Sequence, residues 1–192
     1  MFSLARLQEV ANLAEQRRRE RNKTLTRQLE VCDLLDLKKV QSVAEHAPRI
    51  TAFLLAEELK FLLPEEFMGP QMTEVTEKMR AYLVDWLAEL HFKFKMWQET
   101  LHVTVGIIDR FLALTPELKK SELQCLGITA LHIAGKYEEI YPPELKNLLR
   151  VTDNAVDKRE IIEMEFRILN KLQFSVTFPS SHRFLERFSR LA

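Results

Sequence analysis

An all-α bundle is what this chain should form, and three observations point that way. Only four glycines occur in 192 residues (Gly69, Gly106, Gly127 and Gly135), too few for the turns of a sandwich. The composition is rich in leucine and glutamate, both good helix formers. Apolar residues recur three and four apart, and prolines fall between the stretches in which they do so.

Residues 2–45 favour helix, with Leu4, Leu7, Val10, Leu13, Leu25 and Leu29 loosely spaced. The cationic run Arg17, Arg18, Arg19, Arg21, Lys23 and Arg27 interrupts that stripe, so a continuous coiled coil is not expected. The run reads either as a solvated helix face or as a nuclear-import or nucleic-acid signal. Residues 1–48 are therefore an extension, helical or partly disordered, that ends at Pro48.

A helix over 49–63 should follow, stopped by Pro64 and the Gly69-Pro70 turn. Helices over 73–94 and 98–114 come next. Val103 to Ile108 has a local preference for strand, yet the spacing Leu101, Val105, Ile108, Leu112 favours helix. Residues 121–139 are apolar almost all round, with Gly127, Ala130, Ala134 and Gly135 among them. Such a helix belongs at the centre of a bundle, where neighbours approach the backbone closely. Pro142-Pro143 ends it and begins a short helix to about Arg150. Asp157 with Glu160 three residues on is a capping-box pattern, opening a helix to Gln173. Residues 174–178 read as an extended linker, and Pro179-Ser180-Ser181 starts a last amphipathic helix.

Composition excludes several function classes. Lysine plus arginine equals aspartate plus glutamate at 28 each, so net charge offers no case for nucleic acid or an acidic membrane surface. No apolar run approaches the ~20 residues that cross a bilayer, and no signal peptide is apparent. Cys32 and Cys125 lie far apart without C-x-x-C spacing, which suggests free thiols, with neither a disulfide framework nor a zinc site. Phosphate-loop, dinucleotide, zincin, nucleophile-elbow and EF-hand patterns are absent, so no catalytic residue, metal or cofactor is expected. His46, His91, His102, His132 and His182 are scattered, and His132, inside the apolar helix, reads as a core or interface histidine.

Two anomalies remain. Glu165 follows Ile161 by four and precedes Ile168 by three, on the inward stripe Ile161, Ile168, Leu169, Leu172. A buried carboxylate costs several kcal/mol unless partnered, and Lys136 poses the converse problem near the end of the apolar helix. Either the two pair with each other or reach water at a boundary, or both point at a partner; spacing alone leaves this open. In the helix from Thr73, Met79, Leu83 and Trp86, flanked by Tyr82, form one arc, and Ala81, Val84, Ala88 and Phe92 another. That helix is either fully buried or faces a core with one arc and a partner with the other.

Longer motifs carry a resemblance. Met79-Arg80-Ala81-Tyr82-Leu83-Val84-Asp85-Trp86-Leu87 is followed by Gln98-Glu99-Thr100-Leu101 and Ile108-Asp109-Arg110-Phe111-Leu112. Then come Leu123-Gln124, Lys136-Tyr137-Glu138-Glu139-Ile140-Tyr141-Pro142-Pro143, Val151-Thr152-Asp153-Asn154 and Met164-Glu165. In this order and spacing they resemble the cyclin box over about residues 49–190, most like B-type mitotic cyclins. The resemblance implies a five-helix box, residues 49–173 with its leading helix, that binds and activates a cyclin-dependent Ser/Thr protein kinase in nucleus and cytoplasm. Residues 174–192 would be a linker and the first helix of a second box, leaving Phe184, Leu185, Phe188 and Leu191 without a second core.

By the same resemblance Lys136 and Glu165, with Tyr137 beside them, match the residues that meet the kinase around its C helix. This favours the partner-facing reading of the pair. Met79, Tyr82, Leu83, Trp86, Glu89 and Gln124 match a patch that docks Arg-x-Leu motifs of substrates and inhibitors. Arg80 and Asp109 match an internal ion pair. The chain departs from the family at Tyr82, where isoleucine is usual, and at Gly135, where serine or alanine is common. The competing reading is a cyclin-fold transcription or scaffold protein that activates no kinase; neutral charge and the Lys136/Glu165 match argue against it.

Overall fold

The computed structural model describes residues 29–192 apart from Asn154. Most of the expected extension, with its cationic run from Arg17 to Arg27, lies outside the described residues. The described chain has eight α-helices: α1 (Val31–Asp36), α2 (Ala47–Glu58), α3 (Glu77–Phe94), α4 (Gln98–Leu114), α5 (Leu123–Glu138), α6 (Leu145–Val151), α7 (Lys158–Lys171) and α8 (Ser181–Leu191). No strand occurs among the described residues. They fall into two compact units, one of residues 29–57 with 187–192 and one of Glu58–Glu186.

The larger unit is built round α5, which packs against α3, α4, α6 and α7. Leu126, Ile128, Ala130, Leu131 and Ala134 of α5 are 0% exposed. Burying a leucine or isoleucine is worth ~1.5–3 kcal/mol, so this one helix supplies much of the core. Its glycines admit close neighbours. A Cβ on Gly127 would lie 2.6 Å from Leu83 Cδ1, and one on Gly135 would lie 3.1 Å from Met96 Cε. Around it α4 buries Val103, Ile107, Ile108 and Phe111, so tertiary burial outweighs the local strand preference there.

Helix ends follow local chemistry. The Thr76 hydroxyl accepts from Met79 N–H at the start of α3, and Asp157 and Glu160 form the expected reciprocal capping box on α7. Pro48 falls at the second position of α2, which begins two residues before the expected start at Arg49; a first-turn proline forfeits no helical hydrogen bond. Residues 174–178 are only partly extended. Gln173 and Phe174 hold φ of +51° and +57°, and Ser175 N–H returns to the Leu172 carbonyl, so the linker begins as a tight turn. It is then fastened from below. Arg110 Nη1 donates to the Ser175 carbonyl at 2.7 Å, and its guanidinium lies 4.9 Å from the ring of Phe61 and 5.6 Å from that of Phe178. Phe178 rests on Gly106, where a Cβ would meet its Cζ at 2.1 Å.

The smaller unit has a different cement. Asp33 and Asp36 of α1 are 2% and 5% exposed. Arg187 grips Asp33 with two hydrogen bonds, Nη1 to Oδ1 at 2.5 Å and Nη2 to Oδ2 at 2.8 Å. Arg190 pairs with Asp36, which Lys39 also meets at 2.8 Å.

Candidate functional site

Lys136 and Glu165 come together. Lys136 lies in the last turn of α5 because the apolar run of that helix ends there. Glu165 lies on α7 beside the buried face made by Ile161, Met164, Ile168 and Leu172. Leu169, expected in that face, is only half-buried; Met164 takes the inward place. Glu165 thus sits at the edge of the stripe, its side chain 20% exposed, and forms an ion pair with Lys136, which is 43% exposed. The pair is a surface feature of the chain, half in and half out of water. A pair so exposed contributes little to the fold's own stability, roughly 0–1 kcal/mol.

Its surroundings are specific. His132 lies one turn before Lys136, half-buried, with its Nδ1 enclosed and unpartnered. Burial and the Lys136 cation push its pKa below the ordinary value, and the Glu165 charge acts in the opposite sense. Tyr137 is 47% exposed, its hydroxyl 2.7 Å from that of Thr177. Beyond it Ile140 and Tyr141 are 82% and 91% exposed. A surface with this much apolar area around one ion pair is suited to covering by another protein.

The second candidate patch lies on α3. Leu83, Leu87 and Leu90 face the core, while Phe92 of the arc Ala81, Val84, Ala88, Phe92 is 78% exposed. The helix is two-faced, and its buried side runs through Leu87 and Leu90, which neither expected arc contained. Leu83 points inward onto Gly127 and so underlies the patch. Met79 and Trp86 are half-buried against the core, Gln124 is half-buried, and Glu89 is exposed. Tyr82 is 65% exposed, with Lys78 Nζ 5.8 Å from its ring centroid. Arg80 and Asp109 form the expected ion pair in a two-bond fork, 2.5 and 2.6 Å long, joining α3 to α4. The bond to Asp109 pushes the Arg80 pKa up.

Among the acidic residues with defined partners that were not singled out in the sequence are Asp33 and Asp36, described above, Glu99, Glu122 and Glu139. Their only signal is a carboxylate near an apolar stretch, and the arginine partners of Asp33 and Asp36 and the α4 partners of Glu139 are too far along the chain to be guessed. Cys32 and Cys125 are free. Among the described residues no group of three or more histidine, cysteine or acidic side chains could hold a metal, and no helix is long and apolar enough to cross a membrane.

The family described as "Cyclin, N-terminal domain" matches residues 49–177. "G2/mitotic-specific cyclin-B" of Arbacia punctulata is 41% identical over 165 residues, 86% of this chain and 40% of that one. "Cyclin-B1-5" of Oryza sativa subsp. japonica is 42% identical over 164 residues, 85% of this chain and 36% of that one. "Cyclin-B1-2" of Arabidopsis thaliana is 52% identical over 125 residues, 65% of this chain and 28% of that one. The chain spans well under half the length of these curated relatives.

Proposed function

This chain belongs to the cyclin family, and from that premise we propose that it binds a cyclin-dependent Ser/Thr protein kinase and activates it at G2/M. The Arbacia punctulata relative, named as G2/mitotic-specific, motivates the assignment of the stage. The observation that carries the reading is the Lys136–Glu165 pair, standing at the surface beside exposed Tyr137, Ile140 and Tyr141. Lysine offers three donors and the carboxylate several acceptor sites, so each keeps hydrogen-bonding capacity for a partner's backbone while holding the other in place.

The chain supplies no catalytic group in this reading. Phosphoryl transfer by a protein kinase needs the ion pair between its strand lysine and its C-helix glutamate, with the metal-binding loop set. A partner that binds only the inward C helix shifts that equilibrium, and moving it from 1:99 to 99:1 takes ~5.5 kcal/mol of differential affinity. An interface of ~2,000 Å² is of the size signalling assemblies use. Met79, Tyr82, Trp86, Glu89 and Gln124, over Leu83, form a second surface for Arg-x-Leu substrates or inhibitors, and work in nucleus and cytoplasm follows from such partners. Affinity purification of the chain with mass spectrometry tests the reading. Recovery of a cyclin-dependent kinase is expected; recovery of DNA-bound transcription factors with no kinase would overturn it.

A further inference from the structure

We propose that Glu139 is a positioning residue that fastens the exit of α5 to the start of α4 and so holds the Lys136–Tyr141 segment in its partner-ready form; this rests on the kinase-binding reading above. Helix α4 needs outside help at its N-terminus. Its N-cap, Trp97, has no side chain that can accept a hydrogen bond from the helix amides, and makes no such cap. Glu139 supplies the missing acceptor from just beyond the end of α5. Its Oε1 accepts from Trp97 N–H at 2.7 Å and from the Thr100 hydroxyl at 2.5 Å. A carboxylate at this end is also favoured by the helix dipole.

The same residue ends α5. Glu139 N–H still returns to the Gly135 carbonyl at 2.9 Å, but its own backbone is already extended, with φ −90° and ψ 140°. Three residues further on the chain is held again. Pro142 and Pro143 lie close over Gly135, where a Cβ would stand 3.8 and 3.6 Å from them. Between these two fastenings Ile140 and Tyr141 are pushed into solvent, 82% and 91% exposed. An apolar pair this exposed has no packing of its own to fix its direction, so the direction comes from Glu139 on one side and the prolines on the other.

Thr100 makes the idea testable, because it is 0% exposed and no partner protein can reach it. Thr100→Val removes the hydroxyl without touching the surface. In the free chain, hydrogen exchange of the Glu139 amide, which bonds to the Gly135 carbonyl, is expected to speed up about tenfold, the loss of ~1.4 kcal/mol. Affinity for a purified cyclin-dependent kinase should fall about five- to tenfold, while an Arg-x-Leu peptide binds unchanged. Glu139→Ala, which also loses the bond from Trp97 N–H, should be at least as severe as Thr100→Val, the double variant should be no worse than Glu139→Ala, and Glu139→Gln and Thr100→Ser, which keep the bonds, should behave as the parent. If Thr100→Val fails to fold, Glu139→Ala carries the same measurements. Unchanged exchange overturns the proposal, as does parent-like kinase affinity in Thr100→Val. A parent chain that binds no kinase defeats the functional reading instead, and exchange alone then judges the fastening.

Discussion

Replacing Asp33 by alanine is expected to release α1 from Arg187. Helix α1 has six residues and both its buried side chains are aspartates. So short a helix has no stability of its own, and its order comes from these contacts. Asp33 accepts two bonds from Arg187 and one from Glu30 N–H at 3.3 Å, while Arg187 Nε is already enclosed and unpartnered. Removing the carboxylate strands a largely buried guanidinium, which costs ~3–5 kcal/mol for a broken buried pair. At ~1.4 kcal/mol per factor of ten, amide protection in α1 should drop a hundredfold or more. Hydrogen exchange read by mass spectrometry measures it, with α5 as an internal reference. Replacing both partners, Asp33→Leu with Arg187→Met, should recover most of the loss, because an apolar pair leaves no stranded charge. The pH dependence has a definite sign. The Arg187 hydrogen bonds, the largest influence, outweigh burial and hold the Asp33 carboxyl below its ordinary value. Its stabilisation is therefore complete above about pH 4 and lost as pH falls through the lower folded-state value. Protection in α1 that stays within threefold of the parent in Asp33→Ala would refute this reasoning.

The glycines of the core differ in sign. Gly127→Ala puts a methyl 2.6 Å from Leu83 Cδ1 and should cost ~1–3 kcal/mol in urea unfolding. Gly135→Ala meets only the flexible end of Met96 at 3.1 Å and should gain ~0.5 kcal/mol from helix propensity. Asp157→Ala removes the N-cap of α7 and should cost ~1 kcal/mol by the same measure. Burial pushes His102 and His132 below the ordinary histidine value, so the unfolded chain binds more protons near neutrality. Stability should therefore decline as pH falls below about 6.5, and His102→Gln with His132→Gln should flatten that decline.

Helix order was largely legible because it rests on local rules. Asp157 and Glu160 announced α7, and the unbroken apolarity of residues 121–139 announced the centre of the bundle. What escaped was set by distance. Glu139 reaches Trp97 and Thr100 across 42 and 39 positions, and Asp33 reaches Arg187 across 154, so no periodicity could expose either contact. The candidate site was half legible. Spacing brought Glu165 to notice as a misplaced carboxylate, but the inward turn of Met164 in place of Leu169 put it at the rim.

The affinity of Lys136→Ala and Glu165→Ala for a purified cyclin-dependent kinase, by isothermal titration, tests the central claim most directly. Each change should weaken binding by ~2–5 kcal/mol, as for one partner removed from a charge pair buried in a complex, with thermal stability of the free chain nearly unaltered. Parent-like affinity in both variants would contradict the account.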